Sequence, residues 1–179
     1  STVHTSVVDD SGNGCAVTAS SGYGSGEMPD GTGFWLNNCL GEIELNRRGL
    51  DAGPPGARLP SNMAPSVARR PGGVLAVGSP GADRIRTAMQ QVLINYLQLG
   101  MSLHEAVAHP RVHVDTSGEV INLKAEPGLD LPEIDLPVSV FKGLVMYFGG
   151  VGAAVFDSDT GFDVAADPRR EGGVFNPDA

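Results

Sequence analysis

The 25 glycines and 13 prolines of this 179-residue chain are its strongest constraint. They are scattered along the length, and each interrupts regular structure: proline lacks an N–H, and glycine is costly inside a helix or strand. A chain divided this way must be built from many short elements. It is not of low complexity, and it carries no internal repeat. One stretch escapes the interruption. From Ala82 to Leu99, apolar or aromatic side chains recur every three or four residues, at Ile85, Met89, Val92, Tyr96 and Leu99. That spacing predicts a helix, stopped by Gly100.

The other segments read mostly as hairpins. Val3 to Asp9 and Cys15 to Ser20 are β-branched and apolar, and the turn signal Asp9-Asp10-Ser11-Gly12-Asn13-Gly14 joins them. Ser66 to Arg70 and Val74 to Gly78 flank Pro71-Gly72-Gly73. Ala153 to Asp157 and Phe162 to Ala166 flank Ser158-Asp159-Thr160-Gly161. Val112 to Val114 and Glu119 to Leu123 are further predicted strands, and Phe34-Trp35-Leu36 a short buried one. Ser102 to Ala108 predicts a short helix, with Ser102 as N-cap and Glu105 completing a capping box. Val138 to Tyr147 is also predicted helical. Residues 39–62 form a long irregular connection, a kind of segment that often carries function. Hairpins separated by helices point to an α+β fold with antiparallel sheets.

The chain is long enough to bury a core of its own as one domain. No apolar run reaches the ~20 residues of a membrane span, and Ser1 to Thr5 lacks the features of a signal peptide. The net charge of −9 argues against a nucleic-acid partner. The basic clusters Arg47-Arg48, Arg69-Arg70 and Arg169-Arg170 read as solvated surface or structural ion pairs. Cys15 and Cys39 are too few for a disulfide scaffold or a zinc framework. Cys15, in an apolar stretch, is expected in the core. Soluble periplasmic, extracellular and cytoplasmic locations all stay open.

Several segments could carry chemistry. A threonine at a chain start can serve as nucleophile and base together, because a free α-amine with a pKa near ~7.7–8 can take the hydroxyl proton. Thr2 alone does not establish this. Gly78-Ser79-Pro80-Gly81-Ala82 joins a strand to a helix, either as a plain turn or as a cradle of N–H groups for an oxyanion or carboxylate. It is not a G-x-S-x-G elbow, and Gly22-Tyr23-Gly24-Ser25-Gly26 is not a dinucleotide fingerprint. His109 and His113 are separated by Pro110, so they cannot share a helix face. With His4 and His104 they make no zinc pattern, and neither metal nor cofactor is expected. Asn37-Asn38 and Ser61-Asn62 are turn residues able to point polar groups into a pocket. Glu42, Glu44 and Asp51 are loop acids able to hold an ammonium.

Taken together, these segments resemble the small subunit of γ-glutamyltranspeptidases. Thr2-Val3-His4-Thr5-Ser6-Val7-Val8-Asp9 with Gly12-Asn13 is similar to that family's opening T-x-H-x-S-V-V-D…G-N. Phe34 to Asn38 matches an apolar run ending in L-N-N. Pro60 to Pro65 resembles P-L-S-S-M-x-P, Gly78 to Gly81 matches G-S-P-G, Glu105 to Arg111 resembles E-A-x-x-x-P-R, and Ala166 to Arg169 resembles A-S-D-P-R. The matches keep the family's order over nearly the whole chain. The resemblance implies an N-terminal-nucleophile hydrolase fold, an αββα sandwich, made when a precursor cuts itself into a large and a small subunit. Residues 1–179 would be the small, catalytic subunit, and the large subunit would be its partner. Thr2 would attack a γ-glutamyl amide, and water or an amino acceptor would release the acyl group. Ser20 falls at a second hydroxyl that bonds the nucleophile, and Gly81 and Ala82 fall at the oxyanion hole. Ser61 and Asn62 fall at the α-carboxylate site, Glu42 falls at the α-ammonium site, and Asn38 lies beside the pocket.

The chain departs from that pattern in places. Ser1 precedes Thr2, so either Ser1 is removed or it is itself the nucleophile; His4 and Ser6 set the register in favour of Thr2. Cys39 stands where a glutamine helps hold the ammonium, and Asn62 and Ala82 replace a serine and a glycine. The loop at Ser21-Gly22 is short. The segment from Glu42 to Ser61 is shorter than in relatives with a lid, which implies an open site for bulkier γ-linked substrates. An acylase acting on another acyl group, or a non-catalytic assembly subunit, are the alternative functions.

Overall fold

A computed structural model of the chain describes residues 2–43, 46, 48–50 and 53–177. The expectations for Ser1, Glu44, Asp51 and Arg47 lie outside the described residues. The described elements are β1 (Thr2–Val8), β2 (Gly14–Ser20), β3 (Ser66–Arg70), β4 (Gly73–Gly78), α1 (Ile85–Leu97), α2 (Leu103–Ala108), β5 (Val112–Asp115), β6 (Asn122–Ala125), β7 (Val138–Val140), β8 (Gly152–Asp157) and β9 (Gly161–Ala166). Short 3-10 turns lie at Cys39–Gly41, Ala82–Arg84 and Met146–Phe148.

Three layers emerge from the side-chain alternation. The central sheet has the order β3-β4-β8-β9, all antiparallel. One face presents Leu75, Val77, Ala153, Val155 and Ala165 to α1 and α2, which answer with Ile85, Met89, Val92, Leu103 and Val107 to form the core. Full burial of such side chains stabilises by roughly 1.5–3 kcal/mol each. The opposite face is built from small residues, among them Ala76, Gly78, Gly152 and Ala154. The β1-β2 hairpin packs there, close to β4 and β8. The third sheet pairs β5 with β6 antiparallel and β6 with β7 parallel.

The β1-β2 ladder joins Thr2 to Ser20 and Val8 to Gly14. Asp9 closes its turn, accepting the Asn13 main-chain and side-chain N–H groups at 2.8 Å each. Ser102 caps α2 in a capping box with Glu105, as its sequence predicts. No helix among the described residues is long and apolar enough to cross a membrane.

Four expectations are corrected. Val138 to Tyr147 is not a helix: Val138–Val140 is a strand paired with β6, and Met146–Phe148 is a 3-10 turn. β-Branched Val138 and Val140 alternate with Ser139 after Pro137, and Gly143 breaks any helical continuation. Phe34-Trp35-Leu36 is neither strand nor buried, and Trp35 is 63% exposed. Leu36 instead pairs its N–H with Glu27 and its carbonyl with the Ser25 N–H, so the loop folds on itself. Cys15 is exposed, because odd-numbered residues of the hairpin face away from the sheet. Finally, the strand predicted from Glu119 begins at Asn122 and ends at Ala125.

Candidate active site

Period-two alternation turns Thr2, His4 and Ser6 of β1 to the same side as Ala16, Thr18 and Ser20 of β2. The ladder sets Thr2 directly across from Ser20, and their hydroxyl oxygens lie 2.9 Å apart. Ser20 Oγ also accepts the Gly22 N–H at 3.1 Å. Gly22 has φ +60°, and a Cβ there would lie 2.5 Å from Glu42 Oε1 and 3.0 Å from the Asn38 carbonyl carbon. The Asn38 N–H donates to the Ser21 carbonyl at 3.0 Å. The turn after β2 therefore brings Asn38 and the buried Glu42 beside the Thr2-Ser20 pair. Cys39 opens the adjoining 3-10 turn, half-buried, and its carbonyl accepts from Asn46 Nδ2 at 2.8 Å. Asn46 is buried and ties down the Cys39–Gly41 turn; nothing in its sequence context singles it out. Ser61 is exposed, and its hydroxyl accepts the Met63 N–H at 3.1 Å. Met63 packs on the core. Among the described residues, no hydrogen bond ties Ser61 or Asn62 to the Thr2 cluster.

The turn at the end of β4 has unusual backbone geometry. Gly81 has φ +141°, and a Cβ on it would come within 2.9 Å of Gly149 Cα. Ala82 has φ +52° and is the only non-glycine residue with positive φ among those described. A left-handed alanine costs roughly 1–2 kcal/mol, and such strain concentrates at functional sites. The hydrogen bonds of the described residues use neither the Gly81 nor the Ala82 N–H. Both donors are thus uncommitted, which is what an oxyanion cradle requires.

His4 sets the distance between β1 and this turn. Its ring lies against Gly78 and Gly152, with Thr18 Oγ1 2.8 Å from Nδ1 and Ser6 Oγ 2.7 Å from Nε2. Hydroxyls donate or accept, so the ring is satisfied without a charge. Burial pushes the His4 pKa below its ordinary value, with a main-chain contact to Val17 opposing.

Four buried ionic residues brace the turn from behind. Arg111 pairs with Asp167 at 2.7 Å, and Arg169 pairs with Glu126 and with Asp167. Glu126 accepts the Val145 N–H at 3.0 Å, Arg111 donates to the Phe148 carbonyl at 3.0 Å, and Asp167 accepts the Val151 N–H at 2.7 Å. Residues 145–151 are held as a strap whose Gly149 touches Gly81. The sequence shows these ions only as parts of short motifs and does not show that they meet.

Residues 1–176 match the family model described as Gamma-glutamyltranspeptidase. The chain belongs to that family. It is 36% identical over 137 residues to a glutathione hydrolase proenzyme of Pseudomonas sp. (strain A14), covering 69% of this chain and 24% of the relative. An acylase ACY 1 proenzyme of Pseudomonas sp. (strain V22) is 32% identical over 184 residues, covering 99% of this chain and 29% of the relative. Among solved structures, a γ-glutamyltranspeptidase from Pseudomonas nitroreducens complexed with L-DON superposes with a TM-score of 0.73 at 28% identity. That match covers 96% of this chain and 97% of the other. The fold is that of the family's N-terminal-nucleophile hydrolases, and this chain supplies two β layers and one helical layer of it. The chain spans about a quarter of the length of the curated relatives it matches.

Proposed function

We propose that this chain is the catalytic subunit of an N-terminal-nucleophile enzyme that hydrolyses or transfers γ-glutamyl groups, with Thr2 as nucleophile. One observation carries the reading: the Thr2 hydroxyl sits 2.9 Å from Ser20 Oγ, at the end of a groove of about 800 Å³ that Pro80 and Gly150 also line. Once Thr2 is terminal, its amine takes the hydroxyl proton as Oγ1 attacks the amide carbonyl. The Gly81 and Ala82 N–H groups receive the negative charge that develops on the carbonyl oxygen. The C–N bond breaks, the amine leaves with the proton held on the Thr2 nitrogen, and an ester to Thr2 remains. Water or an amino acceptor then attacks this ester, returning the hydroxyl. Ser20 orients the nucleophile, Glu42 takes the substrate ammonium, and Ser61 and Asn62 take its carboxylate. Asn38 and Cys39 lie beside Glu42, on the ammonium side.

The partner is the remainder of the precursor. The outer face of the β1-β2 hairpin is apolar, with Val3, Val7 and Val17 each more than half exposed beside Cys15 and Ala19. A patch of this kind marks an interaction surface. The relatives named above are proenzymes three to four times longer than this chain, so the rest of such a precursor supplies the cover.

The test uses the full-length precursor. Intact mass should show two pieces, the smaller beginning at Thr2. A γ-glutamyl anilide should be turned over, and Thr2→Ala should abolish both cleavage and turnover. An uncut precursor that is inert towards the anilide would sink the proposal and leave an assembly role. A second reading, an acylase for another acyl group, is favoured by Cys39 at the ammonium end and by the acylase relative matching 99% of this chain. Self-cleavage without anilide turnover would select it.

A further inference from the structure

Arg170 lies outside the motifs that carry the resemblance, yet it contacts the residue on which the reaction turns. Its Nη1 donates to the Thr2 carbonyl at 3.3 Å. Its stem crosses Gly150, where a Cβ would lie 2.5 Å from Arg170 Cδ and 3.0 Å from Cγ. The Gly150 N–H donates to Ser79 Oγ at 3.1 Å, and Ser79 Oγ donates to the Pro80 carbonyl at 2.6 Å, immediately before Gly81. The base of Arg170 is rigid. Its N–H donates to the Asp167 carbonyl at 3.1 Å, and Arg169 before it is locked by Glu126 and Asp167.

From this chain of contacts we infer that Arg170 is a positioning residue that registers the nucleophile Thr2 against the Gly81-Ala82 turn. The inference rests on the functional reading above. The carbonyl, amine and side chain of Thr2 share one Cα. Ser20 restrains the hydroxyl and Arg170 restrains the carbonyl, so the two contacts together fix the rotation of the strand start. That rotation sets where Oγ1 and the nitrogen point. A solvated or ion-paired arginine, the expectation from sequence, does not account for this placement. Arg170 is half-buried and bonds a main-chain carbonyl. Its Nε is buried with no partner among the described residues. A guanidinium kept there with a donor unsatisfied points to a role beyond its own hydrogen bonding.

The experiment compares the full-length precursor with its Arg170→Ala and Arg170→Lys variants. It reads self-cleavage by intact mass, then kcat and KM on a γ-glutamyl anilide, and melting temperature. Misplacement of a reacting group by about 1 Å costs on the order of 100-fold. Arg170→Ala should therefore lower kcat by about 10- to 100-fold, in line with lost positioning, with little change in KM. Free guanidinium at non-denaturing concentration should recover part of the rate, and Arg170→Lys should fall between. An unchanged kcat in Arg170→Ala overturns the inference, as does a loss confined to KM or a loss that guanidinium does not touch. If Arg170→Ala fails to fold, Arg170→Lys decides: normal melting with normal kcat overturns the inference. If the parent self-cleaves but ignores the anilide, the γ-glutamyl reading fails separately. Arg170 is then judged on the self-cleavage rate, which uses the same Thr2 hydroxyl, and an unchanged rate in Arg170→Ala counts against it.

Discussion

The ring of His4 occupies the space that a side chain on Gly78 would need: a Cβ there would lie 2.5 Å from Nδ1 and 2.8 Å from Nε2. Gly78 ends β4 and leads into the Gly81-Ala82 turn, while His4 stands two residues after Thr2. The contact sets the gap between β1 and the turn. Gly78→Ala forces the ring, and β1 with it, away from the sheet. Overpacking of this kind costs about 1–3 kcal/mol. We expect a lower denaturation midpoint and at least tenfold lower turnover, in line with misplaced reacting groups. Urea titration and anilide kinetics on the precursor check both.

Protonation should undo the same contact. Burial holds the pKa of His4 below its ordinary value, and burial does the same for His113 against opposition from Asp83, 3.9 Å away. A histidine that is neutral when folded and charges more readily when unfolded adds stability above its unfolded pKa, near ~6.5. That stability is lost as pH falls from there toward the folded value. The urea midpoint should begin to drop as pH falls below about 6.5, before ordinary carboxylates near ~4 titrate. His4→Gln should flatten the slope. A slope identical to the parent's would show that His4 does not contribute.

Much of this architecture is written locally in the chain. The three hairpins, α1 and the capping box of Ser102 follow from turn residues, period and cap chemistry over a few positions. The errors share a cause. Val138 to Tyr147 has enough apolar residues for a helix face, but its conformation is decided by pairing with β6, some fifteen residues earlier in the chain. Cys15 looks like a core residue because its neighbours are apolar, yet the apolar side of this hairpin faces outward. In the candidate site, the resemblance names Thr2, Ser20, Asn38 and Glu42, and the structure places these four side by side. Asn46, Gly150 and Arg170 carry no such signal, because their contacts are made through partners distant in sequence or through main-chain atoms that any residue possesses.

The left-handed Ala82 offers a substitution that should help stability. Glycine at φ +52° relieves a strain of roughly 1–2 kcal/mol, less about 0.5–1 kcal/mol for the extra freedom of the unfolded chain. Ala82→Gly should therefore raise stability by up to about 1.5 kcal/mol. The N–H donor is unchanged, so turnover should stay within about twofold of the parent. A melting temperature below the parent's would show that the methyl group is packed rather than strained.

The buried ion cluster should respond unevenly to single and double substitution. Glu126→Ala leaves Arg169 with Asp167 as its one carboxylate partner and frees the Val145 and Arg111 N–H groups, and breaking one side of a buried pair costs about 3–5 kcal/mol. Replacing both partners, Glu126→Leu with Arg169→Met, removes the unpaired charge but also unties the Val107 and His109 carbonyls that Arg169 holds. The double variant should be destabilised less than Glu126→Ala, yet remain impaired in turnover because the strap at 145–151 has lost its anchor. Equal stability of single and double variants would mean that the carbonyl contacts, not the charge pair, dominate.

The outer face of the hairpin gives the last test, one of assembly. In this chain alone Val7 and Val17 face away from the sheet, more than half exposed. Lysines there bury no charge, and exposed substitutions usually fall within about ±0.5 kcal/mol. If the remainder of the precursor covers this face, the same two lysines are forced into an apolar interface, where an unpaired charge is expensive. Val7→Lys with Val17→Lys should leave hairpin geometry intact but reduce self-cleavage and co-purification of the two pieces. Val120→Lys, exposed elsewhere on the chain, should do neither. A double variant that processes and co-purifies as well as the parent would place the interface on another face.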